Sequence, residues 1–163
     1  SSINLSQPIV AMTNRSNNGY WMVAKDGGVF VFGSAGFYGS LPGLGINVTN
    51  IIDIVVRPQG DGYWLLGKDG GVFSFGNAGF HGSLPGLALN VSDAVSIETN
   101  TGDSGYWIIR SNGAVYSFGG APYRGGVSSG LIAEIDRYGT GNNYRILRED
   151  GSVATCTGSC TWL

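Results

Sequence analysis

The feature that most constrains the fold is a unit of about forty residues that occurs four times along the 163-residue chain. Three copies share a Gly-Tyr-Trp triplet at intervals of 43 residues, and a looser fourth copy follows: Gly19-Tyr20-Trp21, Gly62-Tyr63-Trp64, Gly105-Tyr106-Trp107 and Asn143-Tyr144-Arg145. Six residues after each tyrosine stands an acid or an amide: Asp26, Asp69, Asn112 and Asp150. A fixed period of this length indicates a repeat architecture, in which each unit buries its apolar faces against its neighbours.

Within the second copy, the sequence predicts three strands and a short fourth one. The strands are expected at residues 51–56, 63–66 and 72–75, which are rich in β-branched and aromatic side chains, and at residues 80–84. Asp69-Gly70 lies between the second and third of these runs and predicts a hairpin with a primed turn, in which both central residues have positive φ. The equivalent dipeptide in every copy predicts the same turn.

Four short antiparallel strands per repeat are typical of a β-propeller blade. The sequence therefore predicts an all-β fold, a small β-propeller of four four-stranded blades, in a single repeat domain over residues 1–163. After an N-terminal segment at 1–7, the blades are expected at about 8–44, 51–87, 94–127 and 131–163. Two alternatives remain open: an array of blades that closes only by oligomerisation, and a β-trefoil-like fold, which would need three copies rather than four.

Residues 62–83, GYWLLGKDGGVFSFGNAGFHGS, resemble a repeat found in secreted bacterial proteins, especially those of actinobacteria. The resemblance covers three copies well and the fourth loosely. It implies a β-propeller and a secreted or extracellular location, with the cell surface or a virion surface included. It brings no catalytic residues with it.

Charge and hydropathy narrow the range of partners. The chain has 9 basic and 11 acidic residues, a net charge of −2, and so no strong field to attract nucleic acid or anionic lipid. No apolar run approaches the roughly twenty residues needed to span a bilayer. Neither nucleic-acid binding nor membrane insertion is expected.

The two cysteines, Cys156 and Cys160, occur together in the fourth copy, where the other copies have phenylalanine at the first position and glycine or proline at the second. Their joint appearance at a five-residue closure predicts a local disulfide. The alternative is two free thiols. A zinc site is disfavoured, because His81 is the only histidine and structural zinc takes four ligands.

The sequence offers no catalytic constellation, so the chain is predicted not to be an enzyme and to need no cofactor or metal. A lone histidine is not a catalytic site, and the recurring aspartates are explained by the hairpin turns. No calcium-binding loop of the Asp-x-Asp-x-Asp-Gly type occurs.

Binding is the remaining function class, and positions that vary between otherwise similar copies are free to meet a ligand. One such position holds an aromatic or hydrogen-bonding side chain: Tyr38, His81, Arg124 and Trp162. Another lies on the third strand: Val31, Ser74, Ser117 and Thr155. Of these, the first four residues with Ser74 and Ser117 are the predicted ligand-binding set, although each position has a plain structural explanation, as outer surface or as packing between blades.

The sequence thus predicts a non-catalytic, lectin-like extracellular module that recognises a cell-surface or cell-wall glycan. The alternative is a structural or protein-interaction component of a cell surface or virion, which would assemble with other chains or with itself through its blades.

Overall fold

The computed structural model describes residues 4–15, 18–128 and 130–163, so the first three residues of the predicted N-terminal segment lie outside the described part. The described residues form thirteen strands and two 3-10 helices, at Pro42–Leu44 and Pro85–Leu87. In chain order the strands are β1 (Ile9–Arg15), β2 (Gly19–Ala24), β3 (Val29–Phe32), β4 (Ile51–Val56), β5 (Gly62–Gly67), β6 (Val72–Gly76), β7 (Ala94–Thr99), β8 (Gly105–Arg110), β9 (Val115–Gly119), β10 (Ile132–Tyr138), β11 (Asn143–Arg148), β12 (Val153–Cys156) and β13 (Cys160–Trp162).

Each repeat forms its own antiparallel sheet, as expected for a blade. The strand orders are β1-β2-β3, β4-β5-β6, β7-β8-β9 and β10-β11-β12-β13. In each sheet the first strand carries a register shift near its start, so one extra residue bends it against its partner. The result is an all-β, propeller-like array of four small sheets, one per repeat.

Among the described residues, the predicted fourth strand is present only in the last repeat, where β13 pairs with β12. In the second repeat, residues 80–84 form no strand and lead instead into a 3-10 helix. The cause lies in the hydrogen bonding of this segment. The Tyr106 hydroxyl accepts a hydrogen bond from the N–H of His81 and donates one to the carbonyl of Gly82. In addition, Gly82 has φ of 129°, far from a strand conformation. These main-chain groups are therefore not available to a β ladder.

The hairpin turns lie where the sequence places them, but their type differs from the prediction. Gly27 has φ of 80°, whereas Asp26 is not in the left-handed region, so a primed turn is ruled out. The Gly27 N–H bonds to the Ala24 carbonyl, and the Ala24 N–H bonds to the Gly28 carbonyl. This is a three-residue loop, a type I turn closed by a glycine bulge. Asp26 was expected to adopt a positive φ, but it caps the turn instead: its Oδ1 accepts the Gly28 N–H at 2.9 Å.

The chain divides into two compact units, one spanning Ser1–Gly67 with Val72–Phe80 and the other Lys68–Gly71 with His81–Leu163. The core of the first unit lies between its two sheets, where Trp21 and Val23 of one sheet pack with Tyr63 and Leu65 of the next. The core of the second unit repeats this arrangement, with Trp107 and Ile109 facing Tyr144 and Ile146. Within each unit, the first sheet thus turns its tryptophan face towards the second, and the second sheet turns its tyrosine face towards the first.

The tyrosine face of the first sheet is exposed to solvent. Met12 is 65% exposed, Val10 is 38% exposed and Tyr20 is 36% exposed, whereas Tyr63, Tyr106 and Tyr144 have no exposed surface. Met12, Val10 and Tyr20 share one face of the first sheet, because Met12 pairs with Met22 of the neighbouring strand and side chains alternate along a strand.

Candidate functional site

The segment that follows the third strand of each of the first three blades, here called the connector, is held by a tyrosine of the next blade. The hydroxyls of these tyrosines accept a backbone N–H from the connector, from Tyr38 at 3.2 Å, His81 at 3.1 Å and Arg124 at 3.0 Å. Each hydroxyl also donates to the carbonyl of the residue that follows. The three donor–acceptor pairs are Tyr63 with Gly39, Tyr106 with Gly82 and Tyr144 with Gly125.

Burial of these tyrosines raises the pKa of their phenol groups. The pKa of Tyr63 and of Tyr144 rises to about 12, and that of Tyr106 rises in the same direction, in each case chiefly because the charged form would be desolvated. All three hydroxyls therefore stay protonated at neutral pH and act as donors to the connector.

A tryptophan of the same blade fixes the start of each connector. The indole Nε1 donates at 2.7 Å to a connector carbonyl in three blades, pairing Trp21 with Gly36, Trp64 with Gly79 and Trp107 with Pro122. In the fourth blade Arg145 replaces the tryptophan, and the predicted disulfide is present between Cys156 and Cys160. Because Cys160 occupies the repeat position of Gly36, the disulfide ties down the same point of the blade that the indole secures elsewhere.

These two attachments decide where the predicted ligand-binding residues point. The Tyr38 ring packs on Tyr63 with 5.8 Å between centroids, and its hydroxyl donates to the Gly60 carbonyl at 2.9 Å. The His81 ring meets Tyr106 edge-on at 5.5 Å. Both side chains are half-buried, and their first role is contact with the following blade.

The remaining predicted residues are placed in different surroundings. Arg124 reaches the Asn142 carbonyl with its Nε at 3.5 Å. Trp162 is partly buried on β13, with the guanidinium carbon of Arg148 at 3.4 Å from its ring centroid. The hydroxyls of Ser74 and Ser117 are buried, with no hydrogen-bond partner in the described part of the chain. They lie across the sheet from Trp64 and Trp107 and are not displayed to solvent. The structure thus does not bring the predicted set together as one site.

The aromatic residues that the repeats do display are the immediate neighbours of the inward-pointing ones. Phe37 is 57% exposed, Phe80 is 62% exposed and Tyr123 is 60% exposed, all at one repeat position. This position stays aromatic in three copies, so the search for positions that vary between copies did not find it. The alternation of side chains along an extended chain could have identified it: if Tyr38 points towards the next blade, its neighbour Phe37 must point outwards.

Three clefts lie where the hairpin turn of a blade meets the residues after its connector. We call them turn clefts 1, 2 and 3, and their volumes are about 450, 370 and 420 Å³. Turn cleft 1 is lined by Ser6, Gln7, Asp26, Pro42, Ile46, Asn47, Val48 and Thr49. Turn cleft 2 is lined by Asp69, Pro85, Ala88, Leu89, Asn90 and Val91. Turn cleft 3 is lined by Asn112, Gly113, Ala114, Tyr123, Gly126, Val127, Ser128, Cys160 and Trp162.

The three clefts differ in charge at the turn. Asp26 accepts hydrogen bonds from the Ser6 hydroxyl at 2.8 Å and the Gly28 N–H at 2.9 Å, and Asp69 accepts the Gly71 N–H at 3.0 Å. In the third copy the equivalent residue is Asn112, whose Oδ1 accepts the Ala114 N–H at 3.0 Å. The turn is therefore capped in the same way, but without a carboxylate.

The described residues contain no cluster of three or more His, Cys, Asp or Glu side chains placed to hold a metal ion. Over the same residues, no helix has the length and apolar character that a membrane span requires.

No protein-family model and no curated protein matches the sequence. Solved structures share its fold, two of them at 14% identity. The crystal structure of the computationally designed Ika4 protein matches 95% of this chain and 94% of its own, with 14% identity and a TM-score of 0.61. A structural-genomics protein of unknown function from Bacteroides thetaiotaomicron VPI-5482 matches 96% of this chain, with 14% identity and a TM-score of 0.64. The present chain spans 43% of that protein's length. At this identity the similarity concerns the fold alone.

Proposed function

We propose that this chain is a non-catalytic, lectin-like binding module that recognises glycans of a cell surface or cell wall through the exposed aromatic rings of its connectors. The observation that carries the proposal is the recurrence of Phe37, Phe80 and Tyr123, each more than half exposed, at one position of three successive blades. Scattered exposed apolar residues are ordinary, but an aromatic ring displayed at one position of three successive repeats is a feature of the unit itself.

The chemistry of these surfaces suits a sugar. A pyranose presents a face of C–H groups, which packs on an aromatic ring, and a rim of hydroxyls, which needs uncharged or carboxylate partners nearby. The chain supplies both, since its connectors carry the rings and its turn clefts carry Asn and Asp side chains. Binding by several repeats at once would raise the avidity for a polymeric glycan above that of any single site.

The disulfide is consistent with an oxidising compartment. On this proposal the module works outside the cell, secreted or displayed on a cell or virion surface. That location also places it beside polymeric glycans.

The test is a calorimetric titration with peptidoglycan fragments and with oligosaccharides of plant and animal cell surfaces. The variant F37A/F80A/Y123A should bind the preferred glycan at least tenfold more weakly, a change of about 1.4 kcal/mol. Leu44→Ala with Leu87→Ala is the matched control, because these side chains are 65% and 54% exposed at another repeated position. Absence of binding by the parent protein at millimolar glycan, or equal loss in the control, would refute the proposal.

A second candidate function, a component that assembles through its blades, is favoured by the exposed tyrosine face of the first sheet. In the second blade of each unit this face is buried against the first, whereas Met12, Val10 and Tyr20 present it to solvent. Light scattering at high protein concentration tests this function. Association that is abolished by Met12→Lys supports it, and a monomer at all concentrations excludes assembly of the chain with itself.

A further inference from the structure

Turn cleft 3 combines features that the other two clefts lack. Tyr123 and Trp162 both line it, so two aromatic side chains border one space of about 420 Å³, at the small end of the range for small-molecule sites. The exposed ring of a connector therefore has, in this blade, a second ring beside it. The cleft lies entirely within the second compact unit.

Trp162 is held in position before any ligand arrives. The guanidinium carbon of Arg148 lies 3.4 Å from the centroid of the indole ring and covers one of its faces. Gly130, with φ of 92°, leaves the space for this arginine, since a Cβ there would collide with the guanidinium group. The disulfide fixes Cys160, the first residue of the strand that carries Trp162. A ring fixed on one side loses little conformational entropy when a ligand packs against it.

The polar groups of turn cleft 3 are uncharged. Asn112 uses its Oδ1 to cap the hairpin turn, which leaves the amide NH2 as a donor, and Ser128 adds a hydroxyl. Among the described residues no charged side chain lines this cleft, and Arg148 is engaged with the indole ring. A carboxylate or phosphate brought into the cleft would lose water without gaining a cation, which is unfavourable.

We propose that turn cleft 3 is a binding subsite for an uncharged pyranose ring, with Tyr123 and Trp162 in contact with its C–H groups and the Asn112 amide donating to its hydroxyl or ring oxygens. The assignment rests on the proposed glycan-binding function and gives it a location and a ligand class. It distinguishes this cleft from turn clefts 1 and 2, where Asp26 and Asp69 supply a carboxylate.

The experiment uses the tryptophan fluorescence of the intact protein. Trp21, Trp64 and Trp107 have no exposed surface, so quenching by acrylamide reports mainly on the partly exposed Trp162. The probes are the methyl glycosides of glucose, galactose and mannose, N-acetylglucosamine, and glucuronic acid as the acidic counterpart. At least one neutral sugar should protect the fluorescence, and glucuronic acid should bind at least tenfold more weakly than that sugar.

Variants then separate the subsite from the fold and from the general function. Tyr123→Ala should weaken protection at least tenfold, and so should Asn112→Asp, which keeps the turn-capping oxygen but replaces the amide donor by a carboxylate. Leu87→Ala, which removes an exposed side chain outside turn cleft 3, should leave protection unchanged. Thermal unfolding of each variant confirms that the fold persists.

The possible failures are distinct. If the protein binds a glycan by calorimetry but no sugar protects Trp162, the subsite assignment is overturned and the general function stands. The same conclusion follows if Trp162→Ala binds that glycan as tightly as the parent, or if glucuronic acid matches the neutral sugars. If no glycan binds to the parent at all, the assignment falls together with the proposed function.

Discussion

Replacement of Tyr63 by phenylalanine tests the attachment that organises each connector. The change removes the hydroxyl that donates to the Gly39 carbonyl and accepts the Tyr38 N–H, while the ring keeps its packing. Each of the two hydrogen bonds contributes about 1 kcal/mol net, and its loss costs up to about 2 kcal/mol where a partly buried main-chain group is left without a partner. Tyr63→Phe should therefore destabilise the protein by roughly 2–4 kcal/mol.

Tyr20→Phe is the matched control. Tyr20 occupies the same repeat position in the first blade, but it is 36% exposed, and its hydroxyl has no hydrogen-bond partner among the described residues. Its replacement should change the free energy of unfolding by no more than about 0.5 kcal/mol, as is usual for a surface substitution.

Urea unfolding followed by tryptophan fluorescence measures both variants. With a denaturant slope of about 2 kcal/mol per molar, Tyr63→Phe should lower the midpoint by about 1–2 M, and Tyr20→Phe by less than about 0.3 M. If the two variants lose equal stability, the hydroxyl does not hold the connector, and the reasoning that turns Tyr38 inwards and Phe37 outwards is refuted.

Three further predictions concern stability. Joint replacement of Cys156 and Cys160 by serine should cost about 2 kcal/mol from the lost five-residue closure, measured by urea unfolding, and an unchanged midpoint would contradict it. Gly82→Ala should cost at least about 2 kcal/mol, because its Cβ would lie 2.6 Å from a phenylalanine ring at φ of 129°, whereas Gly102→Ala, with open space around it, should cost less than about 1 kcal/mol. Because burial raises the pKa of Tyr63 to about 12, above the value of about 10 in the unfolded chain, its contribution to stability is complete below pH 10 and falls as the pH rises towards 12. A melting temperature that stays constant between pH 9 and about 11.5 would contradict this pH dependence.

Much of the fold could be predicted, because the residue types that favour strands and turns recur at the same positions of each repeat. The second repeat shows this most clearly, since its first three strands lie within one or two residues of their predicted bounds. The disulfide followed from two substitutions that occur together in one copy. The fourth strand of the second repeat was predicted wrongly, because its absence depends on the hydroxyl of Tyr106, about 25 residues further along the chain. This hydroxyl forms hydrogen bonds with the main-chain groups of the connector. Such a bond has no local signature.

The candidate site was harder to predict for a related reason. Variation between copies drew attention to Tyr38 and His81, yet both positions vary while lying against the following blade, where different side chains fill the same space. The neighbouring position is aromatic in the first three copies and exposed. The direction of each side chain is set by the indole and tyrosine attachments on either side of it. In the fourth blade these attachments change, and there Trp162, a member of the predicted set, lines turn cleft 3.

The central claim is that the connectors present aromatic rings to a glycan while the neighbouring residues hold the blades together. Backbone NMR with 15N-labelled protein tests it most directly, by titration with the glycan selected by calorimetry. The account predicts that the largest shift changes cluster at Phe37, Phe80 and Tyr123 and at the turn-cleft residues near them. Shifts confined to the exposed face of β1, or no shifts at millimolar glycan, would contradict it.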